Sequence, residues 1–212
     1  MLKLQAIRHR YGERSVLDLA SLELEAGGQA LLLGPSGSGK TTLLHIAAGL
    51  LRPTQGSVEL AGQRLDALAG RLLDRFRGRQ VGIVFQKLHL IGSLTALQNL
   101  LVAQYSAGLK PDAARAQAAL EALGIGALAR ALPAQLSQGQ AQRLAVARAV
   151  INEPALIVAD EPTASLDDAN AEAVLALLQD HARACGAALL VATHDARARG
   201  RIARSVNLAV PA

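Results

Sequence analysis

The sequence predicts an α/β fold: a mostly parallel sheet flanked by helices, an antiparallel β subdomain at the N-terminus, and a helical subdomain inserted ahead of the last strands. Three observations predict it. Apolar runs of strand length at 29–33, 81–85, 155–159 and 188–193 alternate with helix-patterned stretches, as buried parallel strands and their crossover helices do. Residues 2–8 and 15–25 instead alternate apolar with polar side chains, as half-buried strands do. From about residue 93 to residue 150 the texture turns helical throughout.

With 212 residues the chain has length for one domain with a subdomain. Half of the residues are apolar, with much Ala and Leu, a composition that excludes disorder and favours helix. No apolar run approaches the roughly 20 residues of a membrane-crossing helix. The start, Met-Leu-Lys-Leu-Gln-Ala-Ile-Arg, lacks the apolar core of a signal peptide. Cys185 is the single cysteine, which rules out an internal disulfide, suits a reducing compartment, and is expected to pack near a helix end. A net charge of +5 with four aromatic residues, Tyr11, Phe76, Phe85 and Tyr105, describes a surface of scattered arginines, without the stacking platforms of single-strand nucleic-acid binders. No nucleic-acid partner is expected.

Taken in order, Arg10-Tyr11-Gly12 reads as a turn with an aromatic ring between the two alternating stretches, and Ala26-Gly27-Gly28 as the turn into the strand at 29–33. After a helix from residue 43, Pro53 to Gly56 turns the chain into a short strand at 57–60, and residues 64–78 are helical and arginine-rich. A periodic stretch at 93–107 follows the strand at 81–85. A helix opening at Pro111-Asp112 runs to Gly124, a short one spans 125–132, and another opens at Ser137 and closes before Pro154. Residues 168–186 form a helix with Gly186 at its C-cap, and Ser205 to Val210 an edge strand. Residues 1–92 and 151–212 are assigned to a core and 93–150 to the helical subdomain.

The chemistry centres on Gly34-Pro35-Ser36-Gly37-Ser38-Gly39-Lys40-Thr41-Thr42. It fits G-x-x-x-x-G-K-[ST] between a strand and a helix, the context of a phosphate-binding loop and hence of a P-loop NTPase core. From average residue usage the pattern arises by chance at about 4 in 100,000 positions. Glycines allow successive N–H groups to point at phosphate oxygens, and the helix N-terminus adds positive potential. Lys40 is the candidate for the β- and γ-phosphates and Thr41 for Mg²⁺. The apolar run ending in Asp160-Glu161 puts carboxylates at the C-terminal edge of the sheet, where open α/β folds bind ligands. Asp160 is a candidate for Mg²⁺, and Glu161 can face an attacking water. Farther on from Lys40, by about a hundred residues, Ser137 at a helix start offers a hydroxyl and free N–H groups. His9, His45, His89 and His181 show no metal-ligand spacing.

Leu136-Ser137-Gln138-Gly139-Gln140 resembles the LSGGQ signature of ATP-binding-cassette (ABC) ATPases, with Gln138 where the family has glycine. The resemblance covers essentially the whole chain. Tyr11 matches the ring that stacks on adenine, Gln86 the Q-loop, Asp160-Glu161-Pro162-Thr163-Ala164-Ser165-Leu166-Asp167 the Walker B segment running into the D-loop, and His194 the switch histidine. The resemblance implies ATP and Mg²⁺, with Thr41, Gln86 and Asp160 at the metal and its waters. Glu161 is implied as base, His194 as a γ-phosphate contact beside Lys40, and Ser137, Gly139, Gln140 and Asp167 as residues presented across a dimer of two ATPase subunits. A glycine lost at 138 is expected to weaken activity if that position needs close approach or a left-handed backbone. The function implied is the ATPase subunit of a membrane transporter, cytoplasmic and peripheral on the inner face of the cell membrane, energising a separate permease. The motif wording is most similar to the lipoprotein-release and macrolide-export group. The alternative is an ABC ATPase acting mechanically or as a regulator on a membrane partner; a soluble repair or translation ATPase is disfavoured, since no heptads persist and there is one cassette. The chain stops soon after His194, which predicts no C-terminal sensing domain.

Overall fold

The structure is a computed structural model that describes residues 1–164 and 166–209. Strands β1 (Leu2–Tyr11) and β2 (Arg14–Leu24) form a hairpin, and β4 (Gln55–Leu60) and β5 (Gln63–Arg64) complete an antiparallel sheet of order β2-β1-β4-β5. Strands β3 (Gln29–Leu33), β6 (Val81–Val84), β7 (Leu156–Asp160), β8 (Ala188–Ala192) and β9 (Ser205–Asn207) form a parallel sheet of order β6-β7-β8-β3-β9. The helices are α1 (Lys40–Ala47), α2 (Gly70–Gln80), α3 (Ala96–Ser106), α4 (Ala113–Ala122), α5 (Gln138–Val150), α6 (Asp168–Cys185) and α7 (Ala196–Arg201).

Strand alternation decides the layers. Leu32 of β3 joins a cluster with Leu43, Leu44 and Ile46 of α1 and Leu2, Leu4 and Leu24 of the antiparallel sheet, so α1 is packed between the two sheets. Leu31 and Leu33 face the opposite side, against Val174, Leu175 and Leu178 of α6. A third cluster unites Ala96 and Leu100 of α3, Ala116 and Leu120 of α4, and Leu144 and Ala147 of α5. Helix α5 also gives Val146 and Val150 to the sheet cluster, so it belongs to both packing units. At β6 it approaches closely: a Cβ on Gly82 would stand 2.2 Å from the Ala149 carbonyl oxygen.

Several boundaries differ from the sequence reading. Tyr11 ends β1, paired with Arg14, because the turn is confined to Gly12 and Glu13. The arginine-rich helix starts at Gly70, after a 3-10 turn at Leu65–Ala67. Pro111 lies before α4, whose N-cap is Asp112 with its carboxylate accepting from Arg115 N at 3.0 Å. Residues 125–132 hold a single 3-10 turn at Gly126–Leu128. Gly186 closes α6 in the left-handed conformation, at φ 63°, whereas Cys185, expected to pack, is exposed. The expected edge strand is described as far as Asn207, at the edge beside β3; Val210 and Ser165 lie outside the described residues.

The order β6-β7-β8-β3 brings the C-terminal ends of four strands to one edge. These ends lead to Gln86, Asp160-Glu161, Thr193-His194 and the Gly34 loop respectively.

Candidate functional site

The Gly34 loop joins β3 to α1 and depends on glycine at two left-handed positions, Gly37 at φ 79° and Gly39 at φ 86°. A Cβ on Gly39 would also stand 2.5 Å from the carbonyl oxygen of Val16 in β2. Gly39 caps α1 without a side-chain hydrogen bond, so the first-turn N–H groups of Lys40, Thr41 and Thr42 have no internal acceptor. Ser38 Oγ is fully buried and has no partner among the described residues. Lys40 curls over the loop, its Nζ donating to the carbonyls of Gly34 at 2.8 Å and Pro35 at 2.9 Å. An uncapped helix start, an orphaned hydroxyl and an ammonium on one loop fit a polyphosphate.

Opposite stand the carboxylates. Thr41 Oγ1 donates to Asp160 Oδ2 at 2.7 Å, a hydroxyl and a carboxylate oxygen that suit a hard divalent cation. Burial pushes the Asp160 carboxyl above its ordinary value, against the lowering effect of the Thr41 bond. In the window between the ordinary aspartate range and the raised folded value the folded chain binds this proton more tightly than the unfolded chain, and stability falls as pH rises through that window. Without nucleotide, Asp160→Asn is expected to melt above the wild type at neutral pH, the gap closing in acid. Thermal melts across that range check it, and a variant that melts lower at neutral pH refutes it.

Glu161 follows in a left-handed conformation, φ 47°, uncommon for a residue with a side chain. Its N–H donates to the Ala192 carbonyl at 2.8 Å, tying it to the end of β8. Its carboxylate accepts from Thr193 Oγ1 at 3.0 Å and meets His194 Nδ1 at 2.9 Å. The Glu161 side chain is 14% exposed and that of His194 80%, so the pair combines a shielded carboxylate with an imidazole open to a ligand.

A cleft of about 610 Å³ collects these groups, lined by Gly34, Pro35, Ser36, Gly37, Gly39, Lys40, Thr41, Thr42, Gln86, Asp160, Glu161 and His194. Ser38 lies buried in the loop. Arg14 and Val16 of β2 also line the cleft, and the sequence reading missed both. Only the hairpin register, which pairs Arg14 with Tyr11, could have found Arg14. Tyr11 does not line the cleft; its ring is 56% exposed and meets His9 edge to face at 4.7 Å.

The remaining candidates lie apart from it. Ser137 caps α5 in a reciprocal box: its Oγ accepts from Gln140 N at 3.3 Å, and its own N–H donates to Gln140 Oε1 at 2.8 Å. Gln138 is exposed in the first turn of α5 and outside the left-handed region, so the backbone cost that a missing glycine could impose does not arise here. Gly139 faces α6, where a Cβ would meet Asn170 Oδ1 at 2.9 Å. Asp167 caps α6 and accepts from Asn170 N at 2.8 Å and Nδ2 at 2.7 Å.

The chain is similar to known proteins in both sequence and fold. The family model described as "ABC transporter" matches residues 17–164. The lipoprotein-releasing system ATP-binding protein LolD of Maricaulis maris is 42% identical over 215 residues, covering 99% of this chain and 94% of that protein. Its counterpart in Shewanella denitrificans is 41% identical, over 92% and 85%. The dimeric post-hydrolysis structure of the ATP-binding cassette MJ0796 bound to ADP and Pi superposes with a TM-score of 0.89 at 33% identity, over 98% of this chain and 94% of that one.

Proposed function

Since the chain belongs to the ABC transporter family, we propose that it is the ATP-hydrolysing subunit of a lipoprotein-release type transporter, energising a separate permease from the inner face of the membrane. No helix among the described residues is long and apolar enough to cross a membrane; in this reading the permease supplies the spans. The observation that carries the reading is the convergence on one sheet edge of an uncapped, lysine-bearing phosphate loop and the Asp160-Glu161 pair.

In this reading the loop amides and Lys40 bind the β- and γ-phosphates, Lys40 exchanging two carbonyl partners for phosphate oxygens. Tyr11, exposed at the hairpin end, stacks on the adenine. Thr41, Asp160 and Gln86 would hold Mg²⁺ and its waters, and the ion would supply neutralisation of the phosphate charge. Glu161 accepts a proton from the attacking water, and the Thr193 hydroxyl holds its carboxylate in place. His194 contacts the γ-phosphate from the cleft's open side.

Ser137, Gly139, Gln140 and Asp167 belong to a second site half. They lie outside the cleft of their own chain, which supports completion of each site by a second ATPase subunit. Residues 93–150 act as the arm that carries Ser137. Loss of the γ-phosphate on hydrolysis releases that contact and opens the dimer.

The test is affinity purification of the tagged chain from detergent-solubilised membranes, with mass spectrometry of what co-purifies. The reading expects a stoichiometric multi-span protein and an ATPase activity abolished by Lys40→Ala. A chain recovered only in the soluble fraction, without a membrane partner, overturns the transporter assignment.

A further inference from the structure

Helix α7 directly follows His194, and its tethering is unusual for so short an element. Its six residues are docked onto the first turns of α6 by two ion pairs in register. Arg197 Nη1 bonds Asp168 Oδ1 at 2.6 Å, and Arg201 Nε bonds Glu172 Oε2 at 2.6 Å. The arginines are four apart on α7 and the acids four apart on α6, so each set lies on one face, one turn above the other. The pairs form a two-rung ladder between the helices.

The first rung continues inward. The Arg197 guanidinium also holds Asp195, with Nη2 to Oδ2 at 2.6 Å. Asp195 Oδ2 accepts from Thr163 Oγ1 at 2.7 Å, and Asp195 N donates to Thr193 Oγ1 at 3.0 Å. Thr193 Oγ1 is the hydroxyl that donates to Glu161. A chain of hydrogen bonds thus runs from α6, beside the Asp167 cap, through Arg197, Asp195 and Thr193 to the Glu161 carboxylate. Arg197 beside it holds the Asp195 carboxyl far below the usual carboxylate range, which keeps this link charged.

The two rungs are poor candidates for a stabilising role. The Asp168 side chain is 96% exposed and that of Glu172 43%, and exposed pairs contribute little to stability. They do fix one helix against another at the point where the loop bearing His194 meets the helix bearing Asp167. We infer that Arg197, Arg201, Asp168 and Glu172 are positioning residues, a salt-sensitive brace that sets the Glu161–His194 pair relative to the start of α6. The inference rests on the ATPase reading above for its catalytic consequence, though not for its structural one.

The experiment compares the wild-type full chain with Asp168→Asn, Glu172→Gln, their double variant, Glu172→Arg, and the reciprocal Glu172→Arg/Arg201→Glu. Steady-state hydrolysis of Mg-ATP is expected to show kcat in the double variant lower by about threefold to tenfold, with KM unchanged because the phosphate loop is untouched. Wild-type kcat should fall between about 50 mM and about 500 mM salt as the pairs are screened, and the double variant should lack that dependence. Glu172→Arg should lose activity and the reciprocal variant recover it, with melting temperatures little changed throughout. Amide exchange supplies a readout independent of ATP: residues 193–201 should exchange faster in the double variant and residues 40–47 should not. Wild-type kcat and salt dependence in the double variant, a raised KM, or unaltered exchange over 193–201 overturns the brace. A wild-type chain without hydrolysis that Lys40→Ala abolishes would defeat the ATPase reading instead, leaving exchange to decide the brace.

Discussion

Glu161→Gln is expected to bind Mg-ATP with near wild-type affinity and to hydrolyse it about 10²- to 10⁴-fold more slowly, the range for loss of a positioned general base. The substitution keeps shape and the hydrogen bond accepted from Thr193, 3.0 Å away, while removing the basic oxygen. Nothing in the phosphate loop changes, so binding and chemistry separate. With the γ-phosphate retained, the two ATPase subunits should stay closed, and size-exclusion chromatography in Mg-ATP should show a dimer that ADP does not support. Hydrolysis above about a tenth of the wild-type rate would fall outside that range and remove Glu161 from the role. A monomer under saturating Mg-ATP would count against nucleotide-driven dimerisation unless the permease is required for it.

Gly39→Ala is expected to abolish nucleotide binding and lower the melting temperature. A side chain there is opposed twice, by the left-handed backbone at φ 86° and by the Val16 carbonyl oxygen 2.5 Å from the added Cβ. Each conflict costs on the order of 1–3 kcal/mol, and either relief, moving β2 or refolding the loop, misaligns the amides ahead of α1. Gly37→Ala is the internal control: its φ is 79°, but nothing stands within 4 Å of the new Cβ. It should therefore destabilise less. Thermal melts and titration with a fluorescent nucleotide compare the two, and equal destabilisation would show that backbone conformation alone, without the approach of β2, accounts for the glycine.

Much of the fold was legible because local patterns carried it. The runs Leu31-Leu32-Leu33 and Leu189-Leu190-Val191 read as buried strands, since each is apolar on both faces, of strand length and close to glycine. Ser137 marked a helix start, and the structure adds its reciprocal bonds with Gln140. Gly186 marked the end of α6 because it is the one residue type that enters the left-handed region without cost. The phosphate loop, Gln86, Asp160, Glu161 and His194 were singled out from motif order, and all of them except Ser38 of the loop line one cleft.

The sequence by itself determined periodicity, caps, turns and the ordered motifs, because each is set by residues within a few positions of one another. Only the tertiary structure decided which strand lies beside which, and so whether separate motifs meet. It put β7 beside β8, letting Glu161 reach Thr193 and His194, and packed β2 against the loop, leaving no room for a side chain at Gly39 and admitting Arg14 to the cleft. It also kept Ser137 and Asp167 out of their own chain's cleft and aligned Arg197 and Arg201 with Asp168 and Glu172. Such pairings join residues far apart in sequence, and what selects them is the burial of two sheet faces and the helices laid over them, a property of the packed chain rather than of any local stretch.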